Sequence, residues 1–201
     1  MSGDAHVRIC ERLGVRFPWA TRHVCAFQYR NDAERFYRAL PKRLERFSLE
    51  VAPEKTRVLR FSRFHPGLRR RFAFLGFELY WTRDRRGELR VMKRTARKKL
   101  QQAKRRMKLW IRANRHLRGR QFIKALNRKL VGHYNYFGLR SNEKSLHSYY
   151  VWTVRSAFKW LNRRGGKRRS FNWAEFRMAL KKLRVALPRI TEKRREHVVF
   201  A

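Results

Sequence analysis

The segment from residue 89 to residue 174 carries 26 Lys and Arg side chains and a single carboxylate, that of Glu143. Residues 1–88, by comparison, hold 20 basic and 10 acidic side chains. Cations packed this densely repel one another in a compact fold unless a polyanion neutralises them. The whole chain of 201 residues has a formal net charge of +40 and a pI near 11.8. This charge favours nucleic acid as the partner and argues against most ordinary soluble enzymes.

The chain also has enough apolar residues to form a packed core. Hydrophobic residues make up 43% of the sequence and aromatic residues 14%, which argues against a disordered basic tail. The two cysteines, Cys10 and Cys25, are too few for a disulfide framework and indicate a reducing compartment. The longest stretches without a charged residue, 130–139 and 145–154, are ten residues each, about half the length of a membrane-spanning helix. The N-terminus has no apolar signal core, so we expect a cytoplasmic protein with no membrane partner.

Residues 23–92 have the pattern of a small α+β unit. Asn31 with Glu34 predicts the N-terminal cap of a helix that runs to Phe47. The remaining periodicity predicts strands at 24–29, 58–61, 72–81 and 88–91, the last two joined by a turn at 84–87.

Residues 93–201 have the pattern of a helical bundle. Apolar side chains recur every three or four residues in four stretches, which predicts amphipathic helices joined by short loops and packed antiparallel. The four stripes run over 96–111, 122–137, 146–161 and 173–183. Gly119 and Gly138 are predicted to end the first two helices, and Asn172 with Glu175 to cap the fourth. The predicted fold class is therefore α+β, a small sheet unit followed by a helical bundle, with residues 1–22 unassigned.

Basic side chains cover the polar faces of the first two predicted helices. On the second helix Arg120, Lys124 and Arg128 follow one another at four-residue steps, about 6 Å apart, so the row can track a phosphate backbone. The first helix presents further candidates around its polar side: Arg97, Lys98, Lys104, Arg105, Lys108 and Arg112. A solvated helix face usually mixes charges of both signs, whereas this stretch has no acid, so phosphate contact is the better interpretation.

Two further segments have features of RNA contact. The run 133–138 alternates rings with hydrogen-bonding groups, as stacking on unpaired bases requires. Its other rings fall on the apolar stripe, which leaves His133 and Tyr136 as the candidate contacts. The segment 160–169 ends a helix in a glycine turn with five cations, although a solvated loop would look the same. Its candidate phosphate contacts are Arg163, Arg164, Lys167 and Arg168.

The sequence lacks the usual motifs of enzymatic chemistry. It has no Gly-rich phosphate loop and no Cys-x-x-Cys pair, and its seven histidines have no metal-ligand spacing. Phosphoryl transfer by paired metals needs two or three converging carboxylates. Only Asp32 and Glu34 come near that requirement, at a position that predicts a helix start. We therefore expect no catalytic residue and no bound metal in this chain.

Several motifs, in the same order along the chain, resemble bacterial group II intron reverse transcriptases, which are RNA-directed DNA polymerases. The segments 24–29, 32–47, 49–56 and 74–77 resemble the end of the palm domain of that family. The segments 93–100, 132–138 and 160–169 are similar to recurring sequences of its thumb, or maturase domain. The resemblance implies an unassigned segment at 1–22, a partial palm at 23–92 and a helical maturase domain at 93–201.

The resemblance also implies roles for individual residues. Lys55 resembles the palm lysine near the polymerase site, and Arg94 belongs to one of the maturase motifs. The segment 74–77 resembles the hairpin that grips the primer end in that family, and its residues are Phe74, Leu75, Gly76 and Phe77. The implied partners are group II intron RNA, for splicing and retrohoming, and an RNA/DNA template–primer duplex. The full-length enzymes use Mg²⁺ and deoxynucleotides.

The sequence departs from the family at the polymerase centre. Where the family has Tyr-Ala-Asp-Asp directly before the strand at Val24, this chain has Ala20-Thr21-Arg22-His23. Those aspartates hold the catalytic metal, so the departure implies that this chain alone does not polymerise DNA. Two other interpretations remain open: a basic structural protein of a ribonucleoprotein, and the unstable product of a degraded reading frame.

Overall fold

The computed structural model describes residues 6–10, 23–53, 56–62, 64, 70–163 and 170–192. The chain divides into two compact units between Met92 and Lys93. Its architecture combines helices with antiparallel strands, as an α+β fold requires.

A three-stranded antiparallel sheet of the order β2-β1-β3 belongs to the first unit. Its strands are β1 (His6–Cys10), β2 (His23–Phe27) and β3 (Thr56–Arg60). The central strand places Arg8 opposite Cys25 on one side and Val58 on the other. β1 lies in the segment to which the sequence assigned no structure. A strand of five residues leaves little periodic signal, and only the pairing with two other strands reveals it.

The helix α1 (Arg30–Glu45) follows β2 and begins before the predicted cap. The prediction that Asn31 caps it is wrong, because the N-cap is Tyr29 and makes no side-chain capping hydrogen bond. The Glu34 carboxylate instead accepts a hydrogen bond from Nε of Arg30 at 2.6 Å. This ion pair, one turn along the helix, occupies the carboxylate that a capping box would need.

A second sheet contains β4 (Arg71–Phe74), β5 (Phe77–Arg83) and β6 (Leu89–Thr95), with β5 in the middle. The predicted strand 72–81 is thus two strands joined by Leu75 and Gly76, which have φ angles of 48° and 82°. Positive φ at both positions suits a tight hairpin and glycine, but it strains a leucine. β5 and β6 are joined by the predicted turn, in which the Asp84 N–H donates to the Glu88 carbonyl at 2.8 Å.

The described part of the second unit contains four helices: α2 (Arg97–Asn114), α3 (Gly119–Phe137), α4 (Glu143–Leu161) and α5 (Trp173–Lys182). The predicted stripes are confirmed as its core, which includes Ile111, Phe122, Leu126, Leu130, Tyr134, Leu146 and Phe176. The capping box of Asn172 and Glu175 is also confirmed. The prediction that Gly119 ends the first helix is wrong. α2 ends at Asn114, and Gly119 is the first residue of α3.

After α5 the chain runs back along α3, and we call residues 183–192 the returning segment. The Asn127 side chain donates to the Arg184 carbonyl at 3.0 Å and accepts from the Ala186 N–H at 2.9 Å. The Tyr134 hydroxyl donates to the Ala186 carbonyl at 3.2 Å. These bonds satisfy both the buried end of the tyrosine and the backbone of the returning segment.

Gly138 ends α3, as predicted. Its φ is −75°, so no left-handed cap requires a glycine here. Its carbonyl accepts hydrogen bonds from the N–H groups of Thr191 and Glu192 at 2.8 and 3.0 Å. A Cβ atom on Gly138 would lie 2.6 Å from Oγ1 of Thr191 and would also clash with the Tyr134 carbonyl. Glycine therefore allows the returning segment to approach the end of α3.

Glu192 fastens the end of the returning segment. Its carboxylate accepts a hydrogen bond from the Arg140 N–H at 2.7 Å and one from Nζ of Lys93 at 3.4 Å. The backbone hydrogen bond is the largest effect and, with Lys93, it lowers the pKa of Glu192 against the opposing effect of burial. The contact therefore stabilises the fold at neutral pH and is lost as the pH falls below the ordinary value of 4.5.

Candidate nucleic-acid interface

The row of cations on α3 lies on the outer face of the helix. Arg120, Lys124 and Arg128 are all exposed, whereas Phe122 and Leu126 of the same helix are buried. The sequence predicted this arrangement from the four-residue steps. Three side chains of one charge thus project along one side of a helix whose opposite side is fixed in the core.

The cations of α2 divide into exposed and tethered side chains. Arg97, Lys98, Arg105 and Lys108 are exposed. Nζ of Lys104 donates to Oγ of Ser148 on α4 at 2.9 Å, so this lysine also holds α2 against α4. Arg94, before α2, is half-buried in β6.

Three arginines converge on one tryptophan where α2 and α4 end. The guanidinium carbons of Arg112, Arg115 and Arg163 lie 5.4, 5.7 and 5.8 Å from the ring centroid of Trp160. We call these four residues the Trp160 cluster. The negative face of an indole attracts each cation, which offsets part of their mutual repulsion.

The Trp160 cluster has the chemistry of an anion site. Guanidinium groups bind phosphate oxygens through pairs of parallel hydrogen bonds, and a ring that attracts the guanidinium groups helps to fix their positions. Arg112 and Arg163 were predicted as phosphate contacts, whereas Arg115 and Trp160 were not. The sequence could have indicated Arg115, because Arg112 and Arg115 are three residues apart on one helix and therefore share a face. Their convergence with the end of α4 is tertiary and left no trace in the sequence.

His133 lies in the helix packing and not on the cationic surface. Its ring stacks on Tyr149 of α4, with centroids 3.8 Å apart and an interplanar angle of 21°. Its Nε2 atom is buried and has no hydrogen-bond partner among the described residues. Burial lowers the pKa of His133 to about 4. This placement favours a packing role over the predicted RNA contact. Tyr136, the other predicted ring, is 54% exposed.

We expect His133→Phe to remove an acid sensitivity of the fold without weakening binding of nucleic acid. The unfolded imidazole takes up a proton near pH 6.5, whereas the folded one resists protonation until about pH 4. The wild-type protein should therefore lose stability as the pH falls between these values, by roughly 2 kcal/mol after allowance for its partial exposure. Phenylalanine keeps the stack on Tyr149 and carries no proton. Urea denaturation at pH 7 and pH 4.5 measures the difference, and a parallel loss in both proteins would contradict it.

The other predicted site residues lie elsewhere. Phe74 to Phe77 form the turn between β4 and β5, in which Leu75 is 50% exposed and Gly76 is buried. Lys55, Arg164, Lys167 and Arg168 lie outside the described residues.

Comparisons of the chain with protein-family models, with curated proteins and with solved structures found no match. Within the described ranges, no group of three or more His, Cys, Asp or Glu side chains is placed to hold a metal ion. In the same ranges, no helix combines the length and the apolar character needed to cross a membrane.

Proposed function

We propose that the chain is the RNA-binding C-terminal portion of a group II intron-encoded reverse transcriptase and maturase. In this proposal the first unit is a remnant of the palm, and the second unit is the thumb or maturase domain that binds intron RNA and a template–primer duplex in the cytoplasm. The motif resemblance supports the family, and the surface of the helical unit supports the binding of RNA.

The observation that carries the proposal is the segregation of charge on the helical unit. Two of its described carboxylates serve the fold: Glu175 belongs to the cap of α5, and Glu192 fastens the returning segment. The cations of α3 and the Trp160 cluster, by contrast, form no ion pair among the described residues. RNA phosphates neutralise a surface with this imbalance, and binding is favoured further because the protein's cations release the counterions condensed on the RNA.

Each cationic feature has a proposed part in RNA binding. The α3 row follows the phosphate backbone, because its steps are close to the spacing of successive phosphates. The Trp160 cluster holds a phosphate through its guanidinium groups. The exposed ring of Tyr136 stacks on an unpaired base. Of these contacts only stacking reads features of the base, so specificity depends on the shape of the folded RNA.

DNA synthesis is not part of the proposed function of this chain by itself. The aspartates that hold Mg²⁺ in the full-length family have no counterpart before Val24 in the sequence. Primer extension with Mg²⁺ and deoxynucleotides checks this part of the proposal. We expect no extended product from the purified chain, and unaided extension would overturn that part.

Competition between RNAs tests the proposed partner. The purified chain is bound to a labelled group II intron transcript folded in Mg²⁺, and unlabelled transfer RNA, ribosomal RNA fragments or a misfolded intron of equal length are added. We expect the folded intron to compete at least tenfold better than the others. Equal competition by all structured RNAs would favour a general ribonucleoprotein component over a maturase.

A further inference from the structure

A groove of about 480 Å³ lies between α4, α5 and the segment that follows α5. Its apolar lining includes Val151, Val154, Leu180 and Val185, of which the last three are buried. Two aromatic rings, Tyr150 and Trp173, extend this lining. The groove is separate from the Trp160 cluster and from the cation row on α3, since it shares no residue with either.

Four exposed cations surround the apolar lining: Arg155 of α4, Arg177 and Lys181 of α5, and Arg184 beyond it. None of the four takes part in an ion pair among the described residues, and none of the described lining residues is acidic. An apolar surface bordered by cations complements a ligand that has both a flat apolar part and negative charge.

The ring of Trp173 is held in place from inside the fold. Phe158 packs edge-on against it with centroids 4.6 Å apart, and Phe176 lies at 5.9 Å. The guanidinium of Arg177 lies over the same ring at 5.9 Å. A ring that is already fixed loses little freedom when a ligand stacks on it, so binding there has a small entropic cost.

We propose that this groove binds one unpaired nucleotide of RNA, with the base on the apolar lining and the flanking phosphates on the four cations. The inference rests on the proposed RNA-binding function and adds a preference for single-stranded nucleotides. Bases in a duplex hide their faces, whereas unpaired bases are recognised by stacking on aromatic side chains. The volume of the groove is that of a small-ligand site, which suits a nucleotide. An acidic amphipathic helix, whose anchors extend over two turns or about 10 Å, is the competing occupant.

The test removes three of the four cations and leaves the apolar lining intact. The groove variant is Arg177→Gln/Lys181→Gln/Arg184→Gln. The control variant, Arg35→Gln/Arg38→Gln/Lys42→Gln, removes three exposed cations from α1 and changes the net charge equally. Fluorescence anisotropy measures the affinity of each 201-residue variant for a 12-nucleotide single strand and for a hairpin whose paired strands are joined by a non-nucleotide linker, so that no base is unpaired. Both affinities are measured at one salt concentration.

We expect the groove variant to bind the single strand about tenfold or more weakly than the control variant does, and the hairpin within about threefold of it. A single strand that carries one 4-thiouracil should form photochemical cross-links to Tyr150 or Trp173. Equal losses on both RNAs, or cross-links confined to other helices, would overturn the inference.

Three further outcomes separate the alternatives. If an 18-residue acidic amphipathic peptide binds in place of the single strand and loses its affinity in the groove variant, the groove is a peptide site and the inference is wrong. If the wild-type protein binds neither RNA, the proposed function itself fails. Normal binding of the hairpin without any effect of the groove variant on the single strand overturns the inference alone.

Discussion

Replacing Gly138 with alanine is expected to lower the free energy of unfolding of the helical unit by about 3 kcal/mol or more. The new Cβ would lie 2.6 Å from Oγ1 and 2.9 Å from N of Thr191. Both neighbours are held by hydrogen bonds to the end of α3, so neither can move without breaking them. We expect the returning segment to detach and the contacts of Glu192 to be lost with it.

Gly132→Ala is the matched control for this prediction. Gly132 lies in the same helix, is exposed, and a Cβ there would meet no atom within 4 Å. Alanine is a better helix former than glycine, so this change should raise stability by about 0.5–1 kcal/mol. Thermal and urea denaturation, followed by far-UV circular dichroism, measure both variants. If Gly138→Ala were as stable as the wild-type protein, the docking of the returning segment on α3 would be wrong.

Neutralising the α3 row as Arg120→Gln/Lys124→Gln/Arg128→Gln is expected to weaken binding of structured RNA about 10- to 100-fold near 100 mM salt. Each lost phosphate contact should make the plot of log affinity against log salt shallower by about one unit, so the slope should change by about three. Glutamine removes the charge but keeps a polar, unbranched side chain of similar helix propensity, and all three positions are exposed. The helix content should therefore stay unchanged.

The α1 control variant distinguishes local contacts from total charge. It loses the same three charges at exposed positions outside the helical unit. If only the overall field of the protein matters, both variants should weaken binding equally. An unchanged affinity in the α3 variant would mean that this face is solvated and does not contact RNA.

The helical unit was largely predictable because its core repeats. Phe122, Leu126 and Leu130 recur at helical spacing, and the structure buries all three. His133 follows the same spacing, seven residues after Leu126, so its position in the packing could have been inferred from the pattern. The alternation of rings and polar groups around His133 favoured a surface role instead. In the structure its ring stacks on Tyr149 and is largely buried, which favours the packing role.

Contacts between distant segments could not be predicted from local patterns. The returning segment is held by Asn127 and Gly138, which bond to backbone groups more than 50 residues away. Such bonds have no periodicity, and a glycine at a helix end is ordinarily explained by a left-handed cap. The central strand β1 and the convergence of Arg112 and Arg115 on Trp160 were missed for the same reason, since both depend on contacts between distant segments.

The salt dependence of RNA affinity tests the central claim most directly. The affinity of the 201-residue chain for a folded intron transcript is measured by filter binding from about 50 to 200 mM monovalent salt at constant Mg²⁺. If the cationic helices neutralise about 6–10 phosphates, the affinity should fall about 10³- to 10⁵-fold over this range. A flat response, or no binding even at the lowest salt, would contradict the account.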